Sequence, residues 1–297
     1  MINDCPKPVV KMRDLAPFLR RRNDGQPRLM GIVNVTPDSF HAASRSASVE
    51  AAVEMALQMW NDGADWIDVG GESTRPGAKP VPVIEEKSRV VPVIEALRQV
   101  NPDGLISIDT RRPEVATAAL AAGANMVNDV SGLRNAEMFN LIIESKCPVC
   151  IMHMLGEPGN MQSGPNYNDV VREVSDSLLS TARRLIANGH PSELIILDPG
   201  IGFGKNMEHN LELLSNSQSF RGKEDFSLLW GVSRKSVFKD LLNRTSSDER
   251  LAGTLGVAAH AMTLGIDILR VHDINEHHDL LTIMSELSSR TQQEEGE

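Results

Sequence analysis

Short apolar runs alternate with longer stretches of helical spacing along almost the whole chain. The first run, Met30-Gly31-Ile32-Val33-Asn34-Val35, is rich in β-branched residues and stops at Thr36-Pro37-Asp38-Ser39, which predicts a buried strand ended by a turn. Val49 to Trp60 then places apolar residues at helical spacing, with Ser48 as the expected N-cap and Asn61-Asp62-Gly63 as the stop. The same grammar repeats. Trp66-Ile67-Asp68-Val69 precedes a polar loop from Gly70 to Ala78 and a helix from Ile84 to Val100. Leu105 to Ile108 ends in Asp109 and precedes a helix over Pro113 to Ala122, where the missing N–H of proline costs nothing in the first turn. Met126-Val127 runs into Asn128-Asp129 and a helix from Ala136 to Ser145, and Val149 to Met152 runs into His153, a Gly/Pro-rich loop and a helix from Asp169 to Ala187. Leu194 to Leu197 leads into Asp198-Pro199-Gly200 and a helix from Glu208 to Ser215. Leu228 to Trp230 leads into Ser233-Arg234-Lys235-Ser236 and helical sequence through Ala261. Ile268-Leu269 leads into Arg270-Val271-His272-Asp273 and a last helix from Asn275 to Leu287.

Eight strand-then-helix units without a long linker predict an α/β fold, a single-domain (β/α)8 TIM barrel over residues 30–290. Residues 1–29 are expected to form an N-terminal extension with a short helical turn around Asp14 to Leu19 and a solvated basic run, Arg20-Arg21-Arg22. Residues 291–297 read as a frayed acidic tail. In a parallel barrel the strand carboxyl ends share one face, so Asn34, Asp109, Asn128, Asp198, Lys235, Arg270 and His272 are expected to meet there.

Composition then narrows the classes. A formal charge of -10 argues against a general nucleic-acid surface, so an anionic ligand must be met by a local cluster of positive groups. No apolar run reaches the roughly 18 residues of a membrane span, and Met1 to Leu29 has no hydrophobic core of the signal-peptide kind, which gives a cytoplasmic chain as the expectation. Three cysteines, Cys5, Cys147 and Cys150, are too few for a disulfide framework. Cys147-Pro148-Val149-Cys150 has dithiol spacing, but it leads into a strand rather than opening a helix, so it reads as structural.

Asp109, Asp198 and Asn128 suit the N–H edge of a heterocycle such as a pterin or guanine; each alone reads more readily as a helix cap, and their joint occurrence at successive strand ends shifts the weight. Arg75, Arg234, Lys235, Arg270 and His272 offer a focused positive field for phosphate or carboxylate, with Arg234 open to a structural reading. Asn34 offers one neutral oxygen, which suits Mg²⁺ where substrate phosphates and water complete the shell. The adjacent His277-His278 pair reads as surface. Gly200 to Lys205 lacks the spacing of a phosphate-binding loop and reads as a tight strand-to-helix turn. Phe40 and Phe203 stand out in a chain only 4% aromatic; each fits packing on an aryl ligand or anchoring its own loop.

Taken together, Asn34-Val35-Thr36-Pro37-Asp38-Ser39-Phe40, Gly70 to Ala78, Asp109-Thr110, Asn128-Asp129, Met152-His153-Met154, Asp198 to Lys205, Ser233 to Ser236 and Arg270-Val271-His272-Asp273 resemble, in order, the motifs of the dihydropteroate synthase family, folate-pathway enzymes inhibited by sulfonamides. The resemblance implies a barrel that joins 6-hydroxymethyl-7,8-dihydropterin diphosphate to 4-aminobenzoate and releases diphosphate, with Mg²⁺ and as a homodimer. It implies Asp198, Asn128, Asp109 and Lys235 as pterin-holding groups with Arg270 over the ring and Met152 in the pocket. Asn34, Arg270 and His272 would hold the diphosphate, with Asn34 on the metal. Phe40, Thr74, Arg75 and Pro76 would close over the aminobenzoate, while Phe203, Lys235 and Ser236 line its pocket; Asp109, Lys235, Arg270 and His272 would act in the chemistry.

One departure carries an expectation. His41-Ala42-Ala43 stands where the family usually has a Ser-Asp-Gly type sequence; losing the glycine narrows the conformations of that loop and predicts altered aminobenzoate or sulfonamide affinity. Two other readings share the pterin groups. A methyltransferase domain passing a methyl group from a folate to a corrinoid partner needs neither the Gly71 to Gly77 loop nor Ser233 to Ser236, and a pterin-binding paralogue without catalysis has the altered loop as its one support.

Overall fold

The structure, a computed structural model, describes residues 14–36, 45–73, 77, 78, 80–156, 161 and 164–294. Eight parallel strands close into a barrel in chain order. They are β1 Arg28–Asn34, β2 Trp66–Gly70, β3 Leu105–Asp109, β4 Met126–Asp129, β5 Val149–Met152, β6 Ile195–Asp198, β7 Ser227–Trp230 and β8 Ile268–Val271. The helices around them are α1 Arg45–Asn61, α2 Val83–Val100, α3 Pro113–Ala122, α4 Ala136–Ser145, α5 Val170–Ala187, α6 Met207–Ser215, α7 Val237–Leu242, α8 Leu251–Thr263 and α9 Ile274–Glu294. The predicted TIM barrel is therefore the fold.

The period-two alternation of a strand divides each one between two cores. Outward side chains such as Val33, Ile67, Ile108, Val127, Ile151, Leu197 and Val271 pack under the helices in one apolar cluster. Inward side chains at the strand starts, Met30, Trp66, Leu105, Met126, Cys150, Ile196, Leu229 and Ile268, form a second cluster that floors the barrel. Two residues further along, the inward position changes character: Asp68, Ser107, Asn128, Asp198 and Arg270. Polar groups thus line the carboxyl-terminal half of the interior, above an apolar plug.

Residues 14–27 complete that plug. A 3-10 turn, Ala16–Phe18, sets Leu19 into the floor cluster at 0% exposure, and the Trp66 indole Nε1–H donates to the Phe18 carbonyl at 2.9 Å. The expected turn is present, and of the basic run Arg21 is exposed as expected while Arg20 and Arg22 are half-buried. Arg22 pairs with the largely buried Asp65 at 2.9 Å, and Arg20 makes a surface pair with Asp225 at 3.2 Å.

Other expectations shift locally. Helix α1 starts at Arg45, so Ser48 lies inside it rather than capping it. The stretch through Ala261 is broken at Asn243, whose φ of 52° is left-handed, giving α7, a 3-10 turn over Ser247–Arg250 and then α8. Helix α9 runs on to Glu294, past the expected tail start at Thr291, and 295–297 fall outside the described residues. His277 is buried at 0% exposure and meets the Asp273 carbonyl one helical turn back, which overturns the surface reading of His277-His278; His278 is half-buried. Among the described residues no helix is long and apolar enough to cross a membrane.

Candidate active site

The strand ends gather the expected residues at one mouth. Arg270, two residues beyond Ile268 of the floor, points inward from β8; its Nη2 donates to Asp109 Oδ2 at 2.7 Å and its Nε to Asp68 Oδ2 at 2.6 Å. Asn128 donates from Nδ2 to that same Asp68 oxygen at 3.0 Å. At the top of β2, Gly70 leaves open the space between Asn34 and Asp109: a Cβ there would lie 3.7 Å from both Asn34 Oδ1 and Asp109 Oδ2. Across the barrel, Asp198 accepts from the Gly200 N–H at 2.7 Å, and Gly231 leaves a gap bordered by Asp198 Oδ2 and the Lys235 ammonium.

Lys235 is held by the turn after β6. Its Nζ donates to the Ile201 carbonyl and lies 4.3 Å from the centre of the Phe203 ring. Met152 (3% exposed) and Phe203 belong to a small apolar patch with Val130, Met154 and Met161 beside these groups. His272 sits at the end of β8 with its Nδ1 2.9 Å from the Ser233 hydroxyl, and Ser236 is exposed at the start of α7. Arg234 takes the structural reading: it pairs with Asp248 at 2.9 Å and with Asp273. Phe40, Thr74, Arg75 and Pro76, like His41-Ala42-Ala43 and Cys5, lie outside the described residues.

Burial sets the charge states here. It pushes Asp109 up to about 7, with Arg270 pulling back and Asp68 adding to the rise. Asp198 is also pushed up by burial, opposed by Lys235 and the Gly200 N–H. Burial draws the Lys235 ammonium down to about 8, against the pull of Asp198. For Arg270 the carboxylates of Asp68 and Asp109 outweigh burial and raise its pKa, so it stays charged. Both Cys147 and Cys150 are free, and burial pushes their thiols up, as their structural reading requires.

Three features escaped the sequence reading. Asp68 is a fully buried carboxylate in mid-strand, and its parity with Trp66 and Gly70 was the available signal. Lys205 closes the Gly-rich turn that the sequence reading took as a structural connection, and its side chain was given no role there. It is 3% exposed, and its Nζ donates to the carbonyls of Gly200 at 3.1 Å and Phe203 at 2.9 Å while meeting His153 Nδ1 at 3.1 Å. Burial and the Lys205 charge draw the His153 pKa down to about 3, so the neutral ring presents Nδ1 as acceptor. Finally, Glu72 accepts from the Val81 N–H at 2.8 Å and from Arg112 at 2.7 Å, tying both ends of the loop after β2 to the start of α3.

A family model described as "Pterin binding enzyme" matches residues 30–272. The chain belongs to the pterin-binding enzyme family. Within the family it is 43% identical over 258 residues to the dihydropteroate synthase of Escherichia coli strain K12, covering 87% of this chain and 90% of that one. A crystal structure of Yersinia pestis dihydropteroate synthase with a sulfonamide drug complex superposes with a TM-score of 0.83 at 39% identity, covering 90% of this chain and 96% of that chain. The Xanthomonas albilineans dihydropteroate synthase with 4-aminobenzoic acid gives 0.82 at 41% identity, covering 89% and 93%.

Among the described residues no three His, Cys, Asp or Glu side chains could hold a metal ion. Asn34, half-buried and facing the gap over Gly70, offers a single neutral oxygen. That donor set fits Mg²⁺ arriving with phosphate oxygens and keeping most of its water, not a resident ion in an all-protein cage.

Proposed function

We propose that the chain is a dihydropteroate synthase, joining 6-hydroxymethyl-7,8-dihydropterin diphosphate to 4-aminobenzoate to give 7,8-dihydropteroate and diphosphate. The observation that carries this reading is the convergence of Asp109, Asn128, Asp198, Lys235 and Arg270 at one mouth of a pterin-binding family barrel. Asp198 and Asn128 suit the N–H edge of the pterin, and the Lys235 ammonium suits its ring oxygen. By the resemblance Arg270 covers the ring, and the apolar patch of Met152 and Phe203 suits the aromatic rings as a wall.

The bond broken is the C–O bond between the pterin methylene and the diphosphate, and the bond formed joins that carbon to the aminobenzoate nitrogen, which then loses a proton to solvent. Positive charge develops on the ring as diphosphate leaves, and ionised Asp109 offsets it. By the resemblance, Arg270, His272 and Asn34 take the leaving diphosphate, whose growing negative charge suits the two basic groups. Mg²⁺, held by Asn34 and the substrate phosphates, would supply further charge neutralisation there. The amine is nucleophilic when neutral, so it needs placement more than a base. Phe40, Thr74, Arg75, Pro76 and Ser236 take the aminobenzoate side by the resemblance alone, and homodimerisation and a cytoplasmic location rest on the same footing.

The test is diphosphate release that depends on both 4-aminobenzoate and Mg²⁺. Release without the amine, or methyl transfer from a folate in its place, removes the reading.

A further inference from the structure

Asp68 takes no part in the chemistry above, yet it joins two of the groups that do. It is 0% exposed, one turn of the β-pleat below the mouth on β2. A single oxygen, Oδ2, accepts from Arg270 Nε at 2.6 Å and from Asn128 Nδ2 at 3.0 Å. The other oxygen, Oδ1, is buried without a protein partner, as is Asp109 Oδ1. A buried carboxylate is costly unless paired and hydrogen-bonded, so a barrel that retains one in its axis constrains whatever touches it.

For Asn128 the constraint has a direction. An asparagine amide can present either its NH2 or its oxygen to a ligand. Beside an anionic acceptor the NH2 end must face the anion, which leaves Oδ1 as the atom turned elsewhere. We propose that Asp68 is a positioning residue: it fixes the Asn128 amide so that its oxygen serves the ligand as an acceptor, and it holds Arg270 on the axis. The mouth then offers acceptors from Asn128, Asp109 and Asp198 to one edge of the bound heterocycle, and this selects for rings whose edge carries several N–H donors. Without Asp68 the amide is free to turn over and offer a donor to the same edge.

The kinetic part of the test rests on the dihydropteroate synthase reading, and a second readout does not. In the ligand-free protein, Nδ2 protons of Asn128 should exchange with solvent slowly in the wild type and at least about tenfold faster in Asp68→Leu, followed by NMR. In turnover, Asp68→Leu should raise KM for the pterin diphosphate about tenfold, the cost of one charge-assisted hydrogen bond, and Asp68→Asn, which keeps an acceptor, should recover part of it. In an Asn128→Ala background the KM increase from Asp68→Leu should shrink below about threefold. Equal exchange rates in wild type and variant, or the same KM increase with and without Asn128, overturn the proposal. If Asp68→Leu fails to fold, Asp68→Asn carries both readouts with smaller shifts. If wild-type protein shows no two-substrate turnover, the functional reading fails while the exchange measurement still decides the role of Asp68.

Discussion

Asp109 and Lys235 are held near neutrality by burial, one pushed up to about 7 and the other drawn down to about 8. Asp109 is ionised above its value and Lys235 charged below its own, so the pair is in its working state between them. The pH profile of kcat/KM should therefore be a narrow bell with limbs near those two values. Lys235→Ala should keep the fold, lower turnover by about two orders of magnitude and remove the alkaline limb; near-normal rates would take Lys235 out of the site. Asp109 also has a stability consequence. Its folded pKa lies above the ordinary carboxylate value, so the folded state holds its proton more tightly, and stability from this group is full below about pH 4 and lost as pH rises through about 7. Asp109→Asn should accordingly melt higher than wild type at pH 8 and no differently at pH 3.5, read by thermal denaturation at both. Residues at this scale were legible in the sequence at strand ends, where Asn34, Asp109 and Asp198 are last and Asn128 is next to last. Asp68 and Lys205 were harder to read: parity with Trp66 could turn Asp68 inward, but the partners that give both residues their roles lie in other strands and loops.

The elements carry the site through close approaches at their ends. Gly200, with φ of +69°, follows β6 so tightly that a Cβ would lie 1.9 Å from the His153 carbonyl oxygen. Gly200→Ala should destabilise by at least about 2 kcal/mol and displace the turn that holds Lys235, seen as a lower melting temperature with raised KM. Gly70→Ala is the contrast: no atom lies closer than 3.6 Å to the added carbon, so the fold should tolerate it while the space between Asn34 and Asp109 is filled. Its melting temperature should match wild type and its turnover should fall; unchanged turnover would place the diphosphate elsewhere. Elements were legible from period-two and period-3.6 patterning, and α3, α4 and β5 have the bounds predicted for them. The broken segment before β8 was not, since the left-handed Asn243 ends α7 with a residue type that also occurs inside helices.

Across the described residues the barrel interior is apolar at one end and polar at the other. Leu19, Trp66 and the inward residues of the first strand layer form an apolar floor beneath the polar half of the interior. Leu19→Ala should cost about 2–5 kcal/mol of stability and leave KM for both substrates unchanged, since the floor supports the site without touching it. This plug was not legible: Leu15, Phe18 and Leu19 are too few to set a period, and what they pack against is assembled from distant strands. A crystal structure with 7,8-dihydropteroate bound tests the account most directly. The account places the pterin ring among Asp109, Asn128, Asp198 and Lys235 beneath the Arg270 guanidinium, with the aminobenzoyl group leading outward past Phe203. Density for the ring anywhere else, such as the outer groove between α4 and α5 lined by Arg134, Phe139 and Arg184, would contradict it.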